Sequence, residues 1–230
     1  PFVARLQGRD CASGPEGFFV TGTKPIVRIE TVEGQRLRLT ADHRVRRVVR
    51  KTRTTIESEW CASGDLRPGD ELVLNDHGAR IEWKGAHTYE EGYLLGLLIG
   101  DGTLKEDAAI LSVWETAGAG VAGVRARAEH FAGALPHRSD FRGFHEVTGR
   151  AESRMKLAAV RDLACELGLE PGRKTITAAV EKCSSDFTRG VLSGLFDSDG
   201  SVQGDHEKGV SVRLAQSDLE CLTAAQRMLL

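Results

Sequence analysis

Residues 94–102 of the chain read LLGLLIGDG, and residues 192–200 read LSGLFDSDG. The two stretches share Leu, Gly and Leu at their first, third and fourth positions, and both end in Asp-Gly. Asp101 and Asp199 are 199 − 101 = 98 residues apart, which is a separation typical of a duplicated unit of domain size. We therefore expect one structural unit that the chain uses twice.

Each stretch has the pattern of an apolar helix that packs closely against a partner helix. Gly96 and Gly194 occupy matching positions, and a residue without a side chain lets two backbones approach. Asp101 and Asp199 are each followed by glycine, the residue that commonly ends a helix. The two carboxylates are therefore expected side by side at the carboxyl ends of two helices, where the helix dipoles are also negative.

Two carboxylates in a negative field repel each other unless a cation joins them. Mg²⁺ with oxygen ligands is the simplest such cation, so we predict Mg²⁺ as the cofactor, with Asp101 and Asp199 as its ligands. A bound Mg²⁺ lowers the pKa of water and stabilises the attacking and leaving oxygens of phosphodiester hydrolysis. Asp197 matches Ile99 of the first stretch, and we interpret it as a structural carboxylate.

The longer segments GYLLGLLIGDGTL (92–104) and RGVLSGLFDSDGSV (189–202) resemble the paired signatures of LAGLIDADG homing endonucleases. The resemblance implies αββαββα halves around a pseudo-twofold axis and a β-saddle that binds double-stranded DNA. It also implies a pseudo-dimeric monomer that cuts both strands at a long, specific site. In that family the acids at Asp101 and Asp199 bind the metal ion.

A segment ahead of the second signature, GRKTITAAVEK (172–182), resembles the family segment that holds a catalytic lysine. The resemblance assigns this role to Lys174, with Lys182 as the alternative. A lysine at this place orients or activates water and stabilises charge on the phosphate.

The first 85 residues have a different pattern, with short alternating stretches separated by turns. KPIVRIET (24–31) and QRLRLT (35–40) predict a hairpin, and RVRRVV (44–49) and DELVLN (70–75) predict further strands. We predict that this part of the chain is all-β.

Two segments of this part, KPIVRIETVEGQRLRLTADHRV (24–45) and EWCASGDLRPGDELVL (59–74), resemble the Hint splicing domain of inteins. The resemblance makes Thr40 and His43 the residues that polarise the peptide bond at the upstream splice junction. It implies an N-terminal acyl shift on host exteins in cis. Details of the sequence also resemble inteins of ribonucleotide reductases.

The ends of the chain depart from the intein pattern. Inteins begin with a nucleophilic Cys or Ser, but Pro1 stands at that place here, and Cys11 lies too far inside the chain to replace it. Inteins end in a His-Asn pair, whereas the last residues here are QRMLL. Only 230 − 199 = 31 residues follow Asp199. We therefore expect an incomplete second endonuclease half, and no splicing by this chain on its own.

The second part of the chain mixes helical and strand patterns. Together with the first part it predicts an α+β chain with a Hint-type domain over 1–85 and an endonuclease domain over 86–230. The predicted helices are 90–100, 123–135, 160–169 and 187–196. The predicted strands of this part are 108–115, 141–147 and 154–160.

The formal net charge of −2 does not indicate a nucleic-acid partner. The local charge of residues 125–161 does indicate one, because they contain eight Lys and Arg but four Asp and Glu. Several of these cations lie in predicted strands, where alternate side chains share a face that could contact DNA. The candidate DNA contacts are Arg125, Arg127, Arg138, Arg142, Arg154 and Lys156.

The run RVRRVVRKTR (44–53) contains six cations and no acid. It is either a second DNA contact or an edge strand that charge protects from pairing. Five Cys without a CxxC pair and the absence of a signal-like or membrane-spanning segment indicate a cytoplasmic location. Two alternative functions remain open: a LAGLIDADG-type DNA-binding module without nuclease activity, and a self-processing Hint protein of the non-intein kind.

Overall fold

A computed structural model describes all residues except 1–2, 7–8, 18–19, 21, 75–83, 115–118, 206, 208 and 230. The chain divides into two compact units, Pro1–Ile81 and Glu82–Leu229. The sequence pattern places the boundary at 85/86. The segment where the two differ lies partly outside the described residues.

In its described residues, the first unit consists of antiparallel hairpins and one short 3-10 turn at Ser63–Asp65. Each hairpin forms its own two-stranded sheet. The strands are β1 (Val3–Leu6), β2 (Arg9–Ala12), β3 (Ile26–Glu30), β4 (Arg36–Thr40), β5 (Arg44–Lys51) and β6 (Ile56–Ala62). The predicted hairpin of 24–31 with 35–40 is confirmed as β3 with β4.

The segment 70–75, which the sequence predicts as a strand, makes only a single bridge in its described residues. Leu72 pairs with Arg47 of β5. The backbone amide of Val48 donates to Glu71 O at 2.8 Å, and the amide of Val73 donates to Arg46 O at 2.9 Å. Over residues 46–48, strand β5 therefore forms hydrogen bonds on both sides, to β6 and to residues 71–73. The interpretation of 44–53 as a charged edge strand does not hold for these three positions.

The second unit has the element order αββαββα followed by αββα. Its elements are α1 (Tyr89–Ile99), β7 (Thr103–Leu104), β8 (Ala109–Trp114), α2 (Ala119–Ala134), β9 (His145–Glu146), β10 (Glu152–Lys156), α3 (Ala158–Glu166), α4 (Ser185–Asp199), β11 (Gly200–Asp205), β12 (Gly209–Leu214) and α5 (Leu219–Met228). Four strands form one antiparallel sheet in the order β7-β8-β10-β9, and β11 pairs with β12 alone. The αββαββα order is the one that the family resemblance implies.

All four predicted helices of this unit are present, but two predicted strands differ. The predicted strand 141–147 is reduced to β9, because Gly143 takes a positive φ of 71° that interrupts an extended chain. The predicted strand 154–160 ends at Lys156, and α3 begins two residues later. The short run of alanines there favours a helix over a strand.

Polar side chains cap the amino-terminal ends of α1 and α4. Thr88 and Glu91 form a capping box at α1, with the Thr88 amide donating to Glu91 Oε2 at 2.8 Å. Ser184 caps α4, because its hydroxyl accepts from the amide of Phe187 at 3.0 Å. Across the described residues, no helix is both long enough and apolar enough to cross a bilayer.

Candidate active site at the ends of the paired helices

Helices α1 and α4 pack against each other through four glycines. A Cβ on Gly96 would clash with Val191 O, and a Cβ on Gly194 would clash with Tyr93 O. Gly92 and Gly190 make the equivalent approach one turn earlier, and they too are 190 − 92 = 98 residues apart. The close packing that Gly96 and Gly194 predict is present, and Gly92 and Gly190 extend it by a further turn of each helix.

This packing brings the two signature aspartates to the same end of the helix pair. Asp199 is the last residue of α4, and Asp101 follows α1 by two residues. The carboxylate of Asp199 reaches across to the end of α1, since a Cβ on Gly100 would lie 3.1 Å from Asp199 Oδ2. The duplicated Asp-Gly pairs thus converge at one place.

Both carboxylates are half-buried, and both have raised pKa values. Burial is the main cause of the raised pKa of Asp101, and the negative charge of Asp199 raises it further. Burial also raises the pKa of Asp199, against the effects of Gln216 and Lys174. Ionising both carboxylates therefore carries an electrostatic free-energy cost, which a bound cation would reduce.

Lys174 lies beside the two aspartates. Its ammonium group donates a hydrogen bond to Leu98 O at 3.1 Å and another to Gly100 O, so it occupies carbonyls at the carboxyl end of α1. Burial lowers the pKa of Lys174, and the carboxylates of Asp199 and Asp101 oppose that change. The alternative, Lys182, is exposed in a 3-10 turn.

Gln216 completes the described surroundings of Asp199, and the sequence interpretation missed it. Its side-chain amide donates to Asp199 Oδ2, which lowers the pKa of that carboxyl. Among the described residues, Asp101 receives no comparable hydrogen bond. Gln216 follows β12 by two residues and lies outside the repeated motif, so no pattern in the sequence marked it.

The donor set fits a hard divalent cation that keeps part of its water shell. Mg²⁺ is usually held by one or two carboxylates together with water and substrate phosphate, and Asp101 and Asp199 supply two carboxylates with raised pKa values. The described residues contain no cluster of three or more His, Cys, Asp or Glu side chains that could hold a metal ion. A buried cage of the zinc type is therefore not the kind of site that they form.

Asp197 forms a separate polar contact on the flank of the helix pair. Its Oδ2 accepts from Tyr93 Oη at 2.7 Å and from Arg127 Nη1 at 3.1 Å. The Arg127 guanidinium also lies over the Tyr93 ring, 5.4 Å from its centroid. This cluster joins α1, α2 and α4, which is the structural role that the sequence suggests for Asp197.

The six basic residues chosen as DNA contacts do not share one surface. Arg154 and Lys156 alternate along β10, and their pairing with Ser112 and Ile110 places them on the outer face of the sheet. Arg125 reaches Ser153 Oγ at 3.5 Å on the opposite face.

The remaining three of these cations lie outside the strands of the sheet. Arg127 contacts Asp197, Arg138 pairs with Asp140 in the loop after α2, and Arg142 is exposed in the same loop. Local charge does not distinguish cations that are free to contact DNA from cations that pair with an acid, because partners such as Asp197 lie far away in the sequence.

Thr40 and His43 lie at the turn that ends β4. The His43 amide donates to Thr40 O at 2.9 Å, and the Ser63 amide donates to His43 O at 2.8 Å. Hydrogen bonds from Lys24 and Thr40 lower the pKa of Asp42 to about 2, while the His43 side chain is exposed. The splicing roles of Thr40 and His43 stay predictions. The side chain of Cys11 lies outside the described residues.

Comparison with known families finds a similarity over the second repeat. Residues 186–230, which contain all but the first residue of α4 together with β11, β12 and α5, match the LAGLIDADG-like domain. This match implies a homing endonuclease or a DNA-binding module. No curated protein matches the chain.

Proposed function

We propose that the unit Glu82–Leu229 is a DNA endonuclease that depends on a divalent cation, with Mg²⁺ as its natural metal ion. The observation that carries the proposal is the convergence of Asp101, Asp199 and Lys174 at the carboxyl ends of two helices. The LAGLIDADG-like match over 186–230 supports DNA as the substrate.

Asp101 and Asp199 are the residues that would hold Mg²⁺. The bound ion supplies electrostatic stabilisation of the phosphodiester oxygens and a more acidic water molecule. Both carboxylates are half-buried, and their raised pKa values reflect the electrostatic cost of charging them there. A cation bound between them would offset that cost.

Lys174 supplies positive charge next to the scissile phosphate. Its ammonium group is held by Leu98 O and Gly100 O, so its position is fixed before DNA binds. A fixed charge of this kind stabilises the negative charge that develops on the phosphate oxygens without reorganisation. We assign this role to Lys174 rather than to Lys182.

The outer face of the sheet β7-β8-β10-β9 is the proposed DNA surface of this unit. Arg154 forms a bidentate pair with buried Glu152, at 2.7 Å from Nε to Oε1, and Lys156 lies 3.6 Å from Asp107. Glu152 holds the Arg154 guanidinium in place, and both cations remain able to contact phosphates. Phosphate contacts of this type position DNA without reading its sequence.

A cleavage assay tests this function. The substrate is a plasmid that carries the host gene without the segment that encodes this chain. The protein is incubated with this plasmid in Mg²⁺ or in EDTA. We expect linear product only with Mg²⁺, and a loss of rate of about 10²-fold or more for Asp101→Asn and for Lys174→Met. Asp162→Asn and Lys182→Met are matched controls on exposed side chains and should cleave normally.

Binding of the plasmid without cleavage in Mg²⁺ would instead support the second function that the family match allows, a DNA-binding module. Equal cleavage by Asp101→Asn and the unchanged protein would contradict the proposed centre.

Protein splicing by a longer parent, of the intein type and with a ribonucleotide reductase as host, is a separate proposal supported by the sequence resemblance of 24–45 and 59–74. In such a parent, Thr40→Ala and His43→Ala should each reduce cleavage at the upstream junction. Unchanged junction cleavage in both variants would contradict this proposal.

A further inference from the structure

The hairpin of β5 and β6 has two faces of different character. On one face Arg47 pairs with Glu59 and lies 3.5 Å from Asp70. Arg50, which follows an irregularity in the strand, pairs in register with Glu57 on the same face. The cations of this face are neutralised by neighbouring acids.

The opposite face carries Arg44, Arg46 and Trp60, which we name the basic-aromatic face. Arg46 pairs in register with Trp60, and the Arg44 guanidinium donates to Trp60 O at 2.8 Å. Neither arginine forms an ion pair with any described residue, and the Trp60 side chain is 57% exposed. The third cation of this side, Lys51, does pair with Glu71.

Protection of a strand edge does not explain the charge of Arg46, because β5 forms hydrogen bonds on both sides there, to β6 and to residues 71–73. Core formation does not explain the basic-aromatic face either, since both guanidinium groups and the indole are exposed. Two adjacent guanidinium groups that have no carboxylate partner in the described part of the chain form an electropositive site. Arginine is well suited to phosphate oxygens because of its planar fork of donors. The exposed indole adds an apolar surface that sugars and bases can contact.

We propose that the basic-aromatic face binds the phosphodiester backbone of duplex DNA. The proposal rests on the proposed endonuclease function, and it adds a DNA contact on the unit Pro1–Ile81. Arg44 and Arg46 each neutralise one phosphate, and Trp60 packs against the sugar-phosphate chain between them. The contact contributes affinity that does not depend on sequence.

The salt dependence of binding is the test. The full chain is titrated with a duplex of random sequence in EDTA at several salt concentrations. The double substitution Arg44→Gln/Arg46→Gln should lower the slope of log affinity against log salt by about 1.8, since each phosphate contact contributes about 0.9. Arg50→Gln removes the same kind of charge from the other face and should leave the slope unchanged. Trp60→Ala should weaken binding without changing the slope, because it removes no charge.

The outcomes separate the two proposals. Equal slopes for the double variant and Arg50→Gln, with thermal unfolding unchanged in both, would overturn the basic-aromatic face as a DNA contact and leave the endonuclease centre intact. No duplex binding by the unsubstituted chain would count against both proposals. Binding to anionic lipid vesicles that the double variant loses, with duplex binding unchanged, would overturn the DNA assignment in favour of a membrane surface.

Discussion

The two repeats of the second unit, residues 89–134 and 185–228, follow the same order of helix, strand, strand and helix, but their sheets are buried to different extents. Leu104 and Val202 both stand three residues after their signature aspartate. Leu104 is 5% exposed, whereas Val202 is 70% exposed. One position in the repeat is therefore core in the first copy and surface in the second.

The difference follows from the neighbours of each hairpin. Strand β8 pairs with β10, which pairs with β9, and β8 also packs against α1, α2 and α3. In the described residues, β11 and β12 pair only with each other. Symmetry in this unit is therefore strict along the helix pair, where four glycines set the distance, and weak in the sheets.

The aspartates differ in a related way. In strand register, Thr103 pairs with Ile110 in the first repeat, and Ser201 pairs with Arg213 in the second. Ile110 and Arg213 are therefore equivalent positions, and three residues farther along Val113 is equivalent to Gln216. Val113 is buried in the first sheet, while Gln216 donates to Asp199. The second repeat thus gives its aspartate an amide partner at a position where the first repeat places a core residue.

Adding a methyl group at the helix contact should give a large loss of stability in each of the two helices. Gly96→Ala and Gly194→Ala each force a Cβ against a backbone carbonyl, and we expect a loss of about 3 kcal/mol in the free energy of unfolding for each. Chemical denaturation measures this loss. Gly123→Ala, in open space on α2, is the matched control and should stabilise by about 0.5–1 kcal/mol. A neutral effect at only one of the two contact glycines would break the symmetry of the helix pair.

Truncation at the equivalent sheet positions should separate the two repeats. Leu104→Ala removes a buried side chain and should cost about 3 kcal/mol. Val202→Ala removes an exposed side chain and should change stability by less than about 0.5 kcal/mol. Denaturant midpoints of the two variants provide the measurement. Similar losses at both positions would mean that the second sheet is covered as the first one is.

Loss of the amide partner should have a smaller effect, confined to one aspartate. Gln216→Ala leaves Asp199 without its side-chain donor, and we expect Mg²⁺ affinity to fall about tenfold, as for other groups that orient a metal ligand. Calorimetric titration with Mg²⁺ measures the change. Ser217→Ala, at the exposed neighbouring residue, is the control. Unchanged affinity in Gln216→Ala would show that the two aspartates do not need different support.

The smallest effect concerns pH. The pKa of Asp101 is raised on folding, so its charged form opposes folding at neutral pH, and stability rises as pH falls from the raised pKa towards the unfolded value. Asp101→Asn in EDTA should therefore raise the unfolding temperature at neutral pH. The difference should disappear in acid, where the carboxyl is protonated in both states. A variant that is less stable at neutral pH would contradict the raised pKa.

The repeated motif predicts from sequence alone that α1 and α4 pair and that Asp101 and Asp199 lie at their ends, because close helix packing requires glycine at regular positions. Gly92 and Gly190 have the same separation of 98 residues, and they mark the same helix contact as Gly96 and Gly194. Apolar periodicity predicts α1 to α4, whereas α5 is not among the predicted helices. Strand β6 was missed, since IESEWCA has few apolar residues in alternation.

Contacts between distant residues were not predictable from local patterns. Nothing near Arg127 in sequence indicates that it pairs with Asp197, and nothing near Gln216 indicates Asp199. Such pairs depend on how α2 and β12 pack against the helix pair, which periodicity does not specify. The placement of Arg125 behind the sheet has the same cause, because helical spacing shows which residues share a helix face but not which strand that face meets.

The most direct test of a shared cation site is the effect of Mg²⁺ on thermal unfolding of the full chain, Asp101→Asn and Asp199→Asn, each measured in Mg²⁺ and in EDTA. A ligand that binds only the folded state raises its unfolding temperature. We predict a rise with Mg²⁺ for the unsubstituted chain, and loss of that rise in both single variants, because each carboxylate supplies half of the protein ligands. A rise of the same size in either variant would contradict a single centre formed by both repeats.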